Sequence, residues 1–473
     1  MAHRPRLTDW DPEDPVAWEA GNKAIARRNL ICTVAGDHAG FSIWTLWSVM
    51  ALFMPPEVYG LSAGDKLLLG AVATVVGGCA RIPYTLGLAR FGGRTWTVFS
   101  AVVLLVPTVA TLVLLAHPGL PLWPYVLCAA LTGLGGGNYS ASLANVNAFY
   151  PQRLKGVALG VNAGLGNLGV AGVQVVALLV LATAGNRQPY WVCGFYLVVL
   201  AVVAISAALF MDNLDHTIEL GHIRSVLAVP DTWVVTVLYS AAFGSWIGLV
   251  FAFSQVLHVN FVAAGQSPAE ASLHTAQIAF VGPLLGSLSR LAGGRLADRI
   301  GGARVTLRAF VAMGGAAAVL VALGTHDDHL RGSGHAHGDA HTMTMIGYIV
   351  GFVALFILAG LANGSVFKMI PSVFDVRSRA LPLADAERRR WASTHAGALI
   401  GFASAIGAIG GAGIDLTLRQ SYAVTGSETV AYWLFLLAYG VAALITWQRY
   451  VRPGRPARPH DVAQPTEPAP ALV

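Results

Sequence analysis

The sequence predicts an all-α integral membrane protein with twelve transmembrane helices in two six-helix pseudo-repeats. Three observations lead there. The 473 residues are 55% apolar and only 11% charged, whereas soluble globular chains are roughly a quarter charged. Twelve apolar stretches reach the about twenty residues that a bilayer's hydrocarbon core requires. Lysine and arginine concentrate on alternate connections, as the positive-inside bias dictates for a multi-pass chain in the lipid bilayer.

Residues 1–32 are polar, contain Asp11, Glu13, Asp14 and Glu19, and show no cleavable signal sequence. They read as a cytoplasmic N-terminal segment, with the first span directing insertion. The N-terminal bundle, 33–211, holds spans at 33–56, 66–89, 95–116, 122–149, 156–184 and 190–211. The second of these contains Arg81, and the fourth and fifth are rich in Gly and Asn. A polar cytoplasmic linker, 212–231, separates the halves. The C-terminal bundle, 232–448, holds spans at 232–262, 272–294, 304–324, 343–372, 393–418 and 429–448. Its second span contains Arg290, its fourth has Lys368 just before Pro371, and its fifth carries a glycine run from Gly401 to Gly413. The tail 449–473 is rich in Pro and Ala and is expected to be disordered and cytoplasmic.

With the N-terminus in the cytoplasm, 23 of the 30 basic residues lie on cytoplasmic segments. Lys66, Arg187, Arg331 and Arg419 lie outside, and Arg81, Arg290 and Lys368 fall within spans. That asymmetry places the chain in the cell membrane with both termini cytoplasmic. It also accounts for the net charge of +6 without any nucleic-acid partner. The four cysteines lie in or beside apolar segments without C-x-x-C spacing and read as small buried side chains.

The intramembrane arginines sit at matching places. Arg81 precedes Phe91-Gly92-Gly93 by ten residues, and Arg290 precedes Ile300-Gly301-Gly302 by ten. At about 1.5 Å per residue, each lies about 15 Å from its glycine turn, near the bilayer midplane. A charge at that depth costs about 2.5–3.5 kcal/mol on insertion scales. Two guanidiniums about 8 Å apart repel by about 2 kcal/mol at an effective dielectric near 20. A bound anion would relieve that repulsion, and a planar oxyanion matches the guanidinium fork. No Asp or Glu is expected at this depth, since Asp37 and Asp415 are assigned near helix ends. The aromatic candidates for the cavity wall are Phe41, Tyr139, Tyr239 and Phe243, the last two one helical turn apart.

The stretch Gly294-Arg295-Leu296-Ala297-Asp298-Arg299-Ile300-Gly301-Gly302 resembles the G-x-x-x-D-R-x-G-G loop of the major facilitator superfamily; the matching loop of the first half lacks the aspartate. The run Gly133-Leu134-Gly135-Gly136-Gly137-Asn138 with Ala144-Asn145 and Phe149-Tyr150-Pro151, followed by Ala158-Leu159-Gly160-Val161-Asn162-Ala163-Gly164-Leu165-Gly166-Asn167, resembles the signature of the nitrate/nitrite porters (NarK-type) of that superfamily. The run Gly401–Gly413 is similar to their second copy of it.

This resemblance covers about 36–448 and implies the major facilitator fold, with nitrate and nitrite as substrates. It places the substrate arginines at Arg81 and Arg290 and the aromatic clamp at Phe41 and Tyr139. The helix 5 asparagine falls on Asn167, with Asn162 as the alternative, and the helix 7 pair on Tyr239 and Phe243. Tyr139 departs from a more usual phenylalanine. A monomer is expected to suffice, with no cofactor. Small residues in the glycine runs let helices approach and slide, which suits alternating access.

Nitrate and nitrite remain ionised at physiological pH, and a cavity without a carboxylate favours exchange of one anion for another. Lys368, in the inner part of its span, is the candidate for coupling nitrate uptake to protons if it is buried; the alternative is that it snorkels to the cytoplasmic surface. The outer loop 325–342 contains His326, His329, His335, His337 and His341, but irregular spacing reads as a solvated loop and no metal site is expected. No nucleophile–base pair or ligand cluster within the spans suggests an enzyme. A carrier for another small anion and a nitrate sensor that does not transport are the alternatives.

Overall fold

A computed structural model of the chain describes residues 6–8, 10–214, 225–332 and 339–452. Residues 215–224 of the linker, 333–338 of the histidine loop and the tail beyond Arg452 therefore lie outside the described residues; the rest of the expected loop is not irregular but helical, 325–332 ending one helix and 339–342 opening the next. The main elements are helices: α1 (Lys23–Trp44), α2 (Ala63–Phe91), α3 (Gly93–Ala116), α4 (Leu122–Phe149), α5 (Gln152–Ala184) and α6 (Tyr190–Phe210) in the first half. The second half holds α7 (Pro230–Ala263), α8 (Pro268–Ala279 with Val281–Ile300), α9 (Gly302–Gly332), α10 (Asp339–Ser378), α11 (Asp385–Thr425) and α12 (Thr429–Thr446).

Among the described residues nine of these helices are long and apolar enough to cross a membrane. The other three expected spans have physical reasons for falling short. The first, α1, is long enough but carries Lys23, Arg27, Arg28 and Asp37; it stops at Thr45, after which the chain continues through Leu46–Met50 and a 3₁₀ turn, Ala51–Phe53. The helix α8 is interrupted at Phe280, and its Val281–Ile300 part carries Arg290, Arg295, Asp298 and Arg299, while α4 is diluted by its Gly, Asn and Ser residues. In α7 a π turn, Ser240–Gly244, widens the helix next to Tyr239; such single π turns are frequent at functional sites.

The pseudo-repeat is visible in the backbone. Gly92 (φ 87°) joins α2 to α3 and Gly301 (φ 90°) joins α8 to α9, both in the region that only glycine enters freely. The next glycine is pressed against the fourth helix of its own half: a Cβ on Gly93 would collide with Asn145, and one on Gly302 would lie 2.8 Å from Met369 Cγ. Each half thus folds its second, third and fourth helices together around the same glycine pair.

Two tryptophans fill equivalent glycine notches. Trp44 lies against Gly77 and Gly136 and donates to Ala73 O at 2.9 Å. Trp246 lies against Gly286. Between the halves, α2 meets α11 where Gly78 faces Ala405 and Ile409, and α2 meets α7 where Gly70 faces Phe251. Farther from the glycine-turn end, Ser272 Oγ donates to Leu52 O at 2.7 Å. On the glycine-turn side of the arginines, Gly156 and Gly160 on α5 and Gly397 and Gly401 on α11 have open space where a Cβ would stand.

Candidate functional site

Arg81 and Arg290 are 1% and 7% exposed, and both lie against one ring: their Cζ atoms are 5.0 and 5.7 Å from the centroid of Tyr139. Each arginine stands four residues after the glycine that receives its half's tryptophan, Gly77 and Gly286. The same helix face therefore carries the tryptophan notch and, one turn on, the guanidinium.

Backbone and ring contacts fix the two groups. Arg81 donates from Nε to Gly136 O at 3.2 Å and from Nη1 to Ser404 O at 2.5 Å, so carbonyls of both halves hold it. Arg290 donates from Nη2 to the Tyr139 hydroxyl at 2.7 Å. Arg81 Nη2 and Arg290 Nη1 are buried without a hydrogen-bond partner. Aromatic rings cover the guanidinium faces: Trp44 at 5.5 Å and Phe243 at 5.0 Å on Arg81, Phe367 at 5.0 Å on Arg290. With their faces occupied, the guanidiniums can meet a ligand only edge-on, through the N–H groups left free.

Every expected aromatic reaches this cluster. Phe41 meets Tyr139 edge-on at 5.6 Å, and Tyr239 stacks on Phe243 at 5.5 Å with 15° between the planes. Asn167 is 1% exposed and its Oδ1 lacks a partner. Asn162 is drawn elsewhere: its Nδ2 donates to Asp37 Oδ2 at 3.1 Å and to Ser142 Oγ at 2.9 Å.

Three readings are corrected. Lys368 is not buried; it is half-exposed and pairs with Asp298 at 2.9 Å, in line with the alternative that it reaches out of the span. Its neighbour Phe367 faces inward instead, 5.1 Å from Tyr239, because consecutive helical residues point about 100° apart. Asp37 is not at a helix end. The helix α1 begins at Lys23, and Asp37 is 1% exposed beside Asn138 and Ser142 on α4, within one turn of Tyr139. A carboxyl group therefore does sit next to the arginine site. Likewise α11 runs on to Thr425, so Asp415 lies inside it, fully buried, with neither oxygen hydrogen-bonded.

Trp44, Phe367 and Ser404 were also missed. A repeated F-x-x-W, Phe41–Trp44 in α1 and Phe243–Trp246 in α7, was the available signal for the first. Ser404 acts through its carbonyl, and its hydroxyl meets Ser140 Oγ across the halves at 3.1 Å.

The family model of the Major Facilitator Superfamily matches residues 38–413. The chain belongs to the major facilitator superfamily. It is 35% identical to the nitrate/nitrite transporter NarU of Salmonella typhimurium over 94% of this chain and 96% of that one. It is 28% identical to the probable nitrate/nitrite antiporter NarK2 of Thermus thermophilus over 95% and 97% of the two chains. Among solved structures, a D-xylose-proton symporter matches with a TM-score of 0.59 and 17% identity, covering 90% of this chain and 97% of that one; this likeness concerns the fold alone. As a member of this superfamily the protein is a multi-pass membrane transporter and not an enzyme.

Proposed function

We propose that this protein carries nitrate and nitrite across the cell membrane by alternating access, as a monomer with both termini in the cytoplasm and its glycine-turn end facing inward. The observation that carries the reading is the pair of buried arginines, one from each half, gathered on Tyr139, each with one free amino group. A small flat oxyanion can accept from both edges at once. Sulfate brings a second charge and a tetrahedral shape into a slot walled by rings, and chloride cannot span two donors. The names of the full-length relatives point to the same substrates.

The site also supplies a gating rule. Two positive charges facing each other across the cavity repel, and an anion seated between them draws both arginines onto itself. Because Arg81 is tied to Ser404 O of the opposite half, the same charge that binds substrate lies on the seam along which the halves move. Counterflow of labelled nitrate in proteoliposomes tests the reading. Nitrate or nitrite inside the vesicle should accelerate uptake, while chloride and sulfate should compete poorly. Binding without flux would identify a sensor, and strong inhibition by sulfate or a carboxylate would identify a carrier for another anion.

A further inference from the structure

The nitrate site has a carboxyl group attached to it that the substrate does not require. Asp37 Oδ2 accepts from Ser142 Oγ at 2.7 Å and from Asn162 Nδ2 at 3.1 Å, and Oδ1 accepts from Asn138 Nδ2 at 3.5 Å. Ser142 Oγ is also 2.8 Å from the carbonyl of Tyr139, the residue whose ring carries both arginines. A serine hydroxyl has one proton. With Asp37 ionised, that proton goes to the carboxylate and the contact with Tyr139 O has none. With Asp37 protonated on Oδ2, Asp37 donates to Ser142, Ser142 donates to Tyr139 O, and Asn162 supplies the remaining two bonds. The network is complete only when it holds one additional proton.

The charges around Asp37 make that proton depend on substrate. Asp37 reaches the Tyr139 carbonyl through Ser142, and Arg81 from α2 and Arg290 from α8 both lie on the Tyr139 ring. Its contacts on α4 and α5 are the neutral Asn138, Ser142 and Asn162. Where α1 passes α3 and α6, Gly36 faces Thr97 and Val203, and the neighbouring His38 turns to Leu165 O. In general burial favours the neutral form of a carboxyl group and nearby cations favour its ionised form. An anion seated between the arginines offsets their field, so the balance moves toward the neutral acid.

We propose that Asp37 is the proton-binding residue of this carrier, loaded from solvent when nitrate occupies the arginine pair and emptied on the side where nitrate leaves. This rests on the nitrate reading of the site. One proton then travels bound to Asp37 Oδ2 with each nitrate, and the site carries one net positive charge both empty and loaded. Reciprocity requires that protonation tighten nitrate binding by the same factor that nitrate favours protonation, about ten-fold for a typical coupling. Exchange of nitrate for nitrite leaves the proton in place, so the same protein can run both modes.

The test is proton uptake by the purified full-length protein in weak buffer when sodium nitrate is added, between about pH 5.5 and pH 8, with nitrate affinity measured in parallel. Uptake is expected in the wild type, with affinity falling about ten-fold as pH rises across that range. Asp37→Asn should abolish the uptake, flatten the pH profile of affinity, and lower the ratio of pH-driven nitrate accumulation to counterflow by about ten-fold. Asp37→Glu should retain uptake with a displaced profile, and Asp415→Asn should retain it unchanged. Nitrate binding by the wild type without proton uptake overturns the proposal and leaves the nitrate site standing, whether or not any variant folds. Loss of uptake in Asp415→Asn but not in Asp37→Asn also overturns it. If the wild type does not bind nitrate, the nitrate reading falls and this proposal with it.

Discussion

At the scale of single residues, the site depends on the shape of guanidinium as much as on its charge. Arg81 uses two nitrogens to hold Gly136 O and Ser404 O and keeps a third free. A lysine has one nitrogen and cannot do both. Arg81→Lys should therefore lower nitrate transport by at least about 100-fold, since two charge-assisted hydrogen bonds of about 1.5–3 kcal/mol are at stake; near-normal counterflow would remove the arginine from the site. Asp415 tests the opposite case. Its carboxyl is buried with no hydrogen-bond partner, so Asp415→Leu should raise the thermal midpoint in detergent, by an amount equivalent to about 1–3 kcal/mol; a lower midpoint would show that the acid is supported by something other than the protein contacts seen. The arginines were legible in the sequence because their distance to a glycine pair repeats, and helical rise converts that distance into depth. Asp37 and Phe367 were not. Whether a residue faces the cavity depends on one 100° step of the helix, and on where the helix begins, which apolar runs do not mark when it extends beyond the membrane.

At the scale of elements, the glycine runs divide into two kinds that look alike in sequence. On α4 and on the middle of α11 they are contact surfaces. A Cβ on Gly135 would collide with Gly40 O, and one on Gly248 of α7 would stand 2.5 Å from Gly411 O of α11. On α5, a Cβ on Gly156 or Gly160 would meet nothing within 4 Å, although one on Gly169 farther along would collide with His38 O. Gly248→Leu should thus force α7 and α11 apart, costing about 1–3 kcal/mol or more, whereas Gly160→Ala should be neutral or stabilise by up to about 1 kcal/mol through helix propensity. Thermal denaturation of the two variants in detergent checks the pair, and equal stability would show that the α7–α11 contact is looser than drawn. The spans themselves were largely legible from length and hydropathy. The breaks at Thr45 and Phe280 and the π turn at Ser240–Gly244 were not, because they arise where tertiary packing, not local propensity, decides the backbone.

At the scale of the whole molecule, the contacts described between the halves run from the arginine level away from the glycine-turn end. Ser404 and Ser140 meet near the arginines, Gly78 meets Ile409 next, then Gly70 meets Phe251, and Ser272 meets Leu52 O. The glycine faces of α5 and α11 toward the other end are open. On the orientation proposed above, this is the conformation that releases substrate inward, and the outward-open state must separate Gly70 from Phe251. A side chain at Gly70 would then act as a wedge in one state only, since its Cβ would lie 2.6 Å from the Phe251 ring. Gly70→Leu should hold the halves apart on the outer side: nitrate counterflow falls, external nitrate still binds, and a cysteine placed at Gly160 reacts more slowly with a thiol reagent applied from the cytoplasmic face. A Gly70→Leu carrier that exchanged nitrate at the wild-type rate would mean that the α2–α7 contact is not part of the gate. The distinction follows from packing: dense interiors accommodate a new side chain by moving between two arrangements and not by stretching one, so a wedge at the seam selects a state, whereas a wedge inside a half only destabilises it.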